Sequence, residues 1–464
     1  MASLNKKVAS AKSSKKSSDQ GNRKRAVFGR PFYLFLVLVC LLIAFLWSGG
    51  IVGFTNSMAK NAIASKKLDS ADWWLAVARR INASNAETDF LQAKSERQRG
   101  RLDKMASHLK SAYNKGFDPS KLEREQTLAF ASLGRFSAET EEQMNDWIDS
   151  REGDFGEIVD AYTNGLTVIS RFDHALELLK WWEAKAPWDP VPHYRIGRIN
   201  EHMHQNSEAE SQYRKAIAKD PNFHKATYNL ARVILDQRRP EEALKLFQTC
   251  NVGESALAAK TGMAQCYKAL GETETARSLL TEVLKSSFEA LSQSQNAVDD
   301  FPERFVAASE LGSIETELGN FSEAKKYLEA ALKVHPLDST GRYSYAVALR
   351  GLGLQKEAEE NFEITRKART ALDQVTGLLE VLRRDPQDTK SRIAIGKIVL
   401  EHESERAGVF WLQSVFSYDP KNSEAHLTLA DYYQGKKDPS PEDLKLSAYH
   451  RAFVQVTLGK NDLR

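Results

Sequence analysis

The chain has 464 residues, 42% hydrophobic and 27% charged, which excludes a wholly disordered protein and is long enough for several domains or one repeat array. The formal net charge is +3, but residues 1–30 carry nine Lys or Arg residues against the single acid Asp19. The basic charge therefore belongs to a tail, and the mildly acidic remainder argues against a nucleic-acid-binding domain.

The three cysteines are too few for a disulfide framework. Cys40 lies in an apolar segment, so Cys250 and Cys266 are left as a possible pair. Both fall at helix positions that are normally packed, and we favour buried free thiols over a disulfide. No cysteine or histidine spacing is typical of a zinc or haem site.

The N-terminal region indicates a membrane anchor. The Ser/Lys-rich residues 1–30 predict a disordered basic tail. Residues 31–59 carry no charge, and their apolar stretch within 32–54 reaches 23 residues, whereas a bilayer needs about 20 helical residues. We predict a transmembrane signal-anchor helix over residues 31–54. The alternative is a cleaved signal peptide, because Ser48 and the two glycines after it would permit cleavage, although the long basic head favours an anchor.

Charges on either side of the segment predict its orientation. Arg23, Lys24, Arg25 and Arg30 precede it, whereas the first charge after it is Lys60. Positive residues stay in the cytoplasm, so we expect a single-pass protein with a cytoplasmic N-terminus. Residues from about 55 onward then lie on the other side, which is the periplasm in a bacterium and a lumenal or intermembrane face in a eukaryote.

The remainder of the chain shows a periodic pattern of small and large residues. In the unit that begins at Pro190 the pattern consists of Ile196, Gly197, Ala209, Tyr213, Ala216 and Pro221. Small residues let two helices cross closely, and large ones fill the space between them. Similar units begin at Gly156, His224, Leu257, Phe305, Ser339, Thr389 and Ser423.

This pattern resembles the tetratricopeptide-repeat family, whose unit is a helix–turn–helix of about 34 residues. The resemblance covers most of residues 156–456. It implies an all-α fold, a right-handed α-solenoid of helix–turn–helix repeats preceded by one transmembrane helix. Degenerate helical repeats are predicted at 58–155, and within them 58–85 is a solitary second helix. Tetratricopeptide repeats are predicted at 156–290 and at 305–372, separated by an insertion at 291–304. A helical insertion at 373–388 and C-terminal repeats at 389–457 follow.

The sequence carries none of the usual catalytic constellations, neither a phosphate loop nor a nucleophile elbow nor an HExxH motif. His202 and His204 stand two residues apart, so on a helix they point in different directions and do not form a metal site. We therefore predict no catalytic residue, no cofactor and no metal, and a protein that is not an enzyme.

In this family the first helices of successive repeats line the concave face, and the resemblance implies a groove on that face. The implied groove residues are Tyr194, Arg195, Arg198, Lys225, Tyr228, Asn229, Arg232, Gln265, Lys268, Tyr343 and Arg350. Guanidinium and amide groups suit a carboxylate or an acidic peptide, and tyrosines provide contact area. In the alternative, the groove is solvated and its charges pair with Glu201, Asp236 or Glu317 of the chain itself.

These features predict a non-enzymatic adaptor that is anchored through residues 32–54 and presents the groove on the non-cytoplasmic side. The expected partner is a protein or peptide, acidic or ending in a C-terminal carboxylate, and no nucleic-acid partner is expected. One alternative is a structural subunit of a membrane complex that binds through the edges of the repeats. Another, disfavoured by the missing constellation, is an enzyme-activating subunit.

Overall fold

The computed structural model describes residues 49–135, 137–150, 155–169, 171–203, 205–299 and 306–461. Within these ranges the chain forms 23 α-helices and no strand. The predicted tail and all but the end of the predicted transmembrane segment lie outside them. No helix in the described part of the chain combines the length and the apolar character needed to span a bilayer.

The helices follow one another as antiparallel neighbours joined by short turns. In chain order they are α1 Gly50–Ala64, α2 Leu68–Ile81, α3 Ala86–Gln98, α4 Leu102–Asn114, α5 Pro119–Ser132, α6 Ala138–Asp149, α7 Phe155–Val168, α8 Phe172–Lys185, α9 Val191–His202, α10 Asn206–Lys219, α11 His224–Asp236, α12 Pro240–Thr249, α13 Ala256–Ala269, α14 Thr273–Val283, α15 Phe288–Val298, α16 Val306–Glu317, α17 Phe321–Val334, α18 Ser339–Gly351, α19 Gln355–Arg384, α20 Thr389–His402, α21 Glu405–Ser414, α22 Ser423–Gly435 and α23 Pro441–Asn461. This order confirms the predicted all-helical repeat solenoid.

Small residues set the spacing of the helices within each unit. A methyl group added at Gly197 would lie 2.6 Å from the ring of Tyr213, and one added at Gly312 would lie 2.4 Å from the side chain of Leu328. At Gly408 the contact is with main chain, because an added Cβ would lie 2.4 Å from the Cα of Leu400 in α20. The close crossing that the periodic pattern predicts is therefore present.

Three regions depart from a uniform series of repeats. The predicted solitary second helix at 58–85 contains the end of α1 and the whole of α2, and the two helices pair, because Ala59 and Ile63 of α1 pack on Ala71 and Leu75 of α2. The insertion at 291–304 forms most of a short extra helix, α15, as far as the structure describes it. Residues 373–384 continue α19, which reaches 30 residues.

The two cysteines of the described chain are free and buried. Burial raises the pKa of both Cys250 and Cys266 to about 12. Neither thiol is therefore ionised near neutral pH, and both behave as small hydrophobic core residues.

Contacts between distant repeats close the solenoid on itself. At the N-terminal end, Arg99 contacts Glu254 at 3.0 Å, and Lys66 contacts Asp160 at 3.1 Å. At the C-terminal end, the ring of Phe410 in α21 lies 5.1 Å from that of Phe172. The concave face is therefore enclosed.

Substitution of Gly408 by Ala should destabilise the protein, although Ala favours a helix over Gly by about 1 kcal/mol. The new methyl group would meet the main chain of α20, and such overpacking costs about 1–3 kcal/mol. Urea unfolding followed by circular dichroism measures the change.

Gly377→Ala is the matched control, since Gly377 lies within α19 and an added Cβ there meets no atom within 4 Å. We expect this variant to be as stable as the parent or more stable. Equal free energies of unfolding for Gly408→Ala and Gly377→Ala would contradict the close crossing of α20 and α21.

Candidate functional site

The closed concave face surrounds a cavity of about 990 Å³. The first helices α9, α11, α13 and α16 form one wall, and α21, α22 and the 133–135 turn face it. Of the predicted groove residues, five line this cavity: Arg198, Tyr228, Arg232, Gln265 and Lys268.

Three of the predicted residues, Arg198, Asn229 and Arg232, surround a single carboxylate, and we call these three residues the carboxylate clamp. The Nη2 of Arg198 donates to Asp299 Oδ1 at 2.8 Å. The Nη1 of Arg232 donates to Asp299 Oδ2 at 3.4 Å. The Oδ1 of Asn229 accepts from both guanidinium groups at 3.0 Å. A carboxylate of the same chain therefore lies between the two guanidinium groups.

The residues before Asp299 are held against helices α11 and α13. Asn229 is fully buried, and its Nδ2 donates to the carbonyl oxygen of Val298 at 2.8 Å. Gln295 donates to the hydroxyl of Tyr228 at 3.3 Å. Ser294 accepts from the N–H of Ala258, near the start of α13, at 3.0 Å. The end of α15 thus lies along α11 and α13.

A second carboxylate, Glu201, balances part of the positive charge of the clamp. It pairs with Arg198 at 3.0 Å and with Arg232 at 3.3 Å, and it also accepts from the hydroxyl of Tyr213. Burial opposes the charge of Arg198, but Asp299 and Glu201 nevertheless raise its pKa above the ordinary value. Arg198 is therefore charged at all physiological pH values.

Six of the predicted residues lie outside the cavity lining, and three of these make contacts between neighbouring elements of the array. Tyr194 is buried, and its ring packs 5.2 Å from that of Phe223. Arg195 contacts Asp160 at 2.7 Å, and the ammonium of Lys225 lies 5.9 Å from the Tyr194 ring. The structure thus differs from the prediction here, because family positions that normally face a ligand are used for packing between neighbouring repeats.

The remaining predicted residues form two separate groups. Gln265 and Lys268 both contact Glu310, at 3.1 Å and 3.6 Å, and both line the cavity. Tyr343 and Arg350 instead share the ring of Phe362, at 5.6 Å and 5.2 Å from its centroid. That second pair is exposed but does not line the cavity.

Sequence reasoning missed the opposite wall of the cavity. Its side chains come from the second helix α21 and from α22, and the main ones are Arg406, Phe410, Trp411 and Tyr432. Second helices usually form the outer layer of such a solenoid. Here the contacts of Phe410 with Phe172 and with the His202 ring, at 4.7 Å, turn α21 toward the cavity. No local sequence signal marks a contact between residues so far apart.

Across the ranges that the structure describes, no group of three or more His, Cys, Asp or Glu side chains is placed to hold a metal ion. His202 stacks on Phe410, which accounts for its position in the cavity wall. The chemistry of the cavity is therefore that of ion pairs, amides and aromatic rings.

Two family models, both described as tetratricopeptide repeat, match the chain. One matches residues 194–249 and 309–370, and the other matches residues 259–288. These residues carry tetratricopeptide repeats, which confirms the predicted repeat family. The units from Gly156, Thr389 and Ser423 lie outside the matched residues.

Solved structures of helical-repeat proteins show a weak likeness to the chain. The MamA protein is 19% identical, with a TM-score of 0.29 over 38% of this chain and 88% of MamA. PilW, a type IV pilus biogenesis factor, is 17% identical, with a TM-score of 0.36 over 44% of this chain and 90% of PilW. The human IFIT1 dimer with m7Gppp-AAAA is 14% identical, with a TM-score of 0.38 over 72% of this chain and 91% of IFIT1. At such scores these similarities carry no information about function.

No curated protein matches the sequence.

Substitution of Arg198 by Ala should strongly destabilise the protein. Arg198 is 5% exposed, and its loss would leave the buried carboxylate of Asp299 and the partly buried one of Glu201 with only Arg232 of the clamp's two arginines. Breaking a buried ion pair in this way costs about 3–5 kcal/mol. Chemical denaturation followed by circular dichroism measures the loss.

Arg366→Ala is the control, because Arg366 forms an exposed pair with Glu363 on α19. Such pairs contribute less than about 1 kcal/mol. Similar small losses of unfolding free energy in Arg198→Ala and Arg366→Ala would show that the carboxylate clamp does not stabilise the fold.

Proposed function

We propose that this protein is a non-enzymatic, membrane-tethered adaptor that holds a peptide segment of a partner protein in its central cavity, on the non-cytoplasmic side. The observation that carries the proposal is the cavity of about 990 Å³, partly open to solvent, on the concave face of the repeats. Repeat solenoids use such concave surfaces for binding.

The lining of the cavity favours a peptide over a small apolar molecule. Five basic side chains, Arg135, Arg198, Arg232, Lys268 and Arg406, share the lining with five acidic ones, Glu201, Asp236, Asp299, Glu310 and Asp338. Between these charges stand aromatic rings such as Trp411 and Tyr432. Alternating charges, amides and rings match the mixed side chains and the main chain of a polypeptide.

The accessible cations of the cavity lining favour an acidic segment of the partner protein. Arg135 and Arg406 are exposed on the wall that faces the first helices, and Lys268 on the other wall is partly exposed between Glu310 and Glu317. These cations can reorient toward a ligand, whereas Arg198 is buried and committed to Asp299. A partner would therefore first meet the accessible cations.

The membrane tether rests on the uncharged residues 31–59 and on the α1–α2 hairpin, whose first helix overlaps the end of that stretch. In that hairpin Phe54 and Trp73 are 54% and 60% exposed, and both pack against the ring of Trp74. Tryptophan and other aromatic rings are enriched at the level of lipid headgroups. An exposed aromatic pair close to the predicted anchor supports a position of α1 and α2 at the membrane surface.

The double variant Lys268→Gln, Arg406→Gln should lose the partner. Both changes remove a cation from the cavity lining, and a loss of about tenfold in affinity corresponds to 1.4 kcal/mol. The measurement is cross-linking in native membranes, followed by capture of the full chain in detergent and identification of the proteins recovered with it.

Lys326→Gln, Lys333→Gln is the matched control, because both lysines are exposed on α17 and lie outside the cavity lining. Circular dichroism verifies that both variants are folded. Recovery of the same proteins with both variants would instead favour the structural-subunit alternative, in which binding uses the outer faces of the repeats.

The tether is tested by placing charges within the predicted span. Val39→Arg, Leu42→Arg should release the full chain from membranes on alkaline extraction, since an arginine at the centre of a transmembrane helix costs about 2.5–3.5 kcal/mol. Val39→Ala, Leu42→Ala should remain in the membrane fraction. Extraction of the unmodified chain at alkaline pH would contradict the tether.

A further inference from the structure

The extra helix α15 and the aspartate that follows it occupy the groove as a bound ligand would. We call residues 288–299 the cis segment. All but its first three residues lie in the predicted insertion at 291–304, after the unit that begins at Leu257 and before the unit that begins at Phe305. Three of its residues are nonetheless buried, Ser294 at 3%, Val298 at 0% and Asp299 at 8% exposure.

The contacts of the cis segment are those by which a groove binds a peptide. An asparagine amide holds a main-chain carbonyl, that of Val298, at 2.8 Å. Two guanidinium groups hold the carboxylate of Asp299, and Tyr228 accepts a hydrogen bond from the Gln295 side chain. Main-chain contacts of this kind provide affinity without sequence selectivity, whereas the charged pair selects an acid.

We propose that the cis segment is an internal ligand of the carboxylate clamp, and that an acidic partner segment binds there by displacing Asp299. The partner chemistry is a carboxylate, from an Asp or Glu side chain or from a chain terminus, that follows an accessible main-chain carbonyl. This inference rests on the proposed adaptor function and identifies the chemistry that completes binding in the same cavity.

Charge complementarity favours an anion at the position of Asp299. The clamp contributes the positive charges of Arg198 and Arg232, and Glu201 and Asp299 each pair with both of them. If Asp299 leaves, these guanidinium groups lose one of the carboxylates against them, and the burial of Arg198 makes that loss unfavourable. An incoming anion at the same position would restore the lost pairing.

The cis segment is suited to exchange because it is held mostly by polar contacts. Helix α15 has 11 residues, and only Ser294 and Val298 of these are buried. Its sequence includes Ser292, Ser294 and Asn296, which are weaker helix formers than Ala or Leu. An incoming peptide would replace each polar contact with an equivalent one. Segments with few buried apolar contacts open more readily than the core of a protein.

The test uses the cis segment itself as the probe. A fluorescein-labelled peptide with the sequence of residues 288–300 is titrated into the full chain and into Asp299→Asn, with fluorescence anisotropy as the readout. The attached segment competes at a high effective concentration, so the peptide should bind the unmodified chain weakly. Asp299→Asn weakens that competitor, and we expect it to bind the peptide at least about tenfold more tightly.

Two controls locate the binding. Glu289→Gln removes an exposed acid at the start of the same segment and should bind the peptide as the unmodified chain does. A peptide in which both of its aspartates are replaced by Asn should not bind Asp299→Asn. Equal affinity of the labelled peptide for all three chains, or binding that is indifferent to its aspartates, would overturn the proposal.

Hydrogen exchange provides a readout that does not depend on the variants. Saturating peptide should speed exchange of the amides of residues 290–299 in the unmodified chain, while exchange in α11 stays slow. Unchanged protection of the segment at saturation, or no binding to any of the chains, would show that the insertion is a fixed part of the fold.

The outcomes also separate the two proposals. If Lys268→Gln, Arg406→Gln loses the partner but the peptide does not displace the cis segment, the adaptor function stands and the exchange does not. If the peptide displaces the segment but no protein is recovered through the cavity, the clamp is a carboxylate site and the adaptor function fails.

Discussion

The close crossing of neighbouring helices is the constraint on which the rest of the structure depends. Gly408 allows α21 to touch the main chain of α20, and Gly197 and Gly312 leave room for a large side chain of the facing helix. A side chain at these positions would separate the helices and change the angle between successive units. Because each unit sets the position of the next, a small local separation would accumulate along the array.

That accumulated geometry brings distant side chains together. With this curvature, α21 reaches α8 and α9, where Phe410 packs on Phe172 and on His202. At the other end, the α3–α4 turn reaches Glu254 through Arg99 and Arg101, at 3.0 Å and 2.5 Å. The cavity is therefore a product of the whole array, and no single repeat contains it.

The fold was largely accessible to sequence reasoning because it depends on local periodicity. Small residues such as Gly197, followed at a fixed distance by large ones such as Tyr213, predict a helical pair without knowledge of any distant contact. The repeat pattern also identified the positions of Arg198, Asn229 and Arg232, which lie around one carboxylate. It did not identify that carboxylate, because Asp299 comes from an insertion whose path no periodic pattern describes. The same limit applies to Phe410, whose inward orientation depends on the closure of the solenoid.

The closure also has a consequence for the order in which the protein is assembled. Contacts within a repeat join residues close in sequence, and these form early and quickly. The contact between Phe410 and Phe172 joins α21 to α8, so it cannot form until most of the chain has left the ribosome. The N-terminal repeats thus acquire their shape while the concave face is still open to one side. The wall that encloses it is added last, by helices that are synthesised after every residue of the carboxylate clamp and after Asp299 itself.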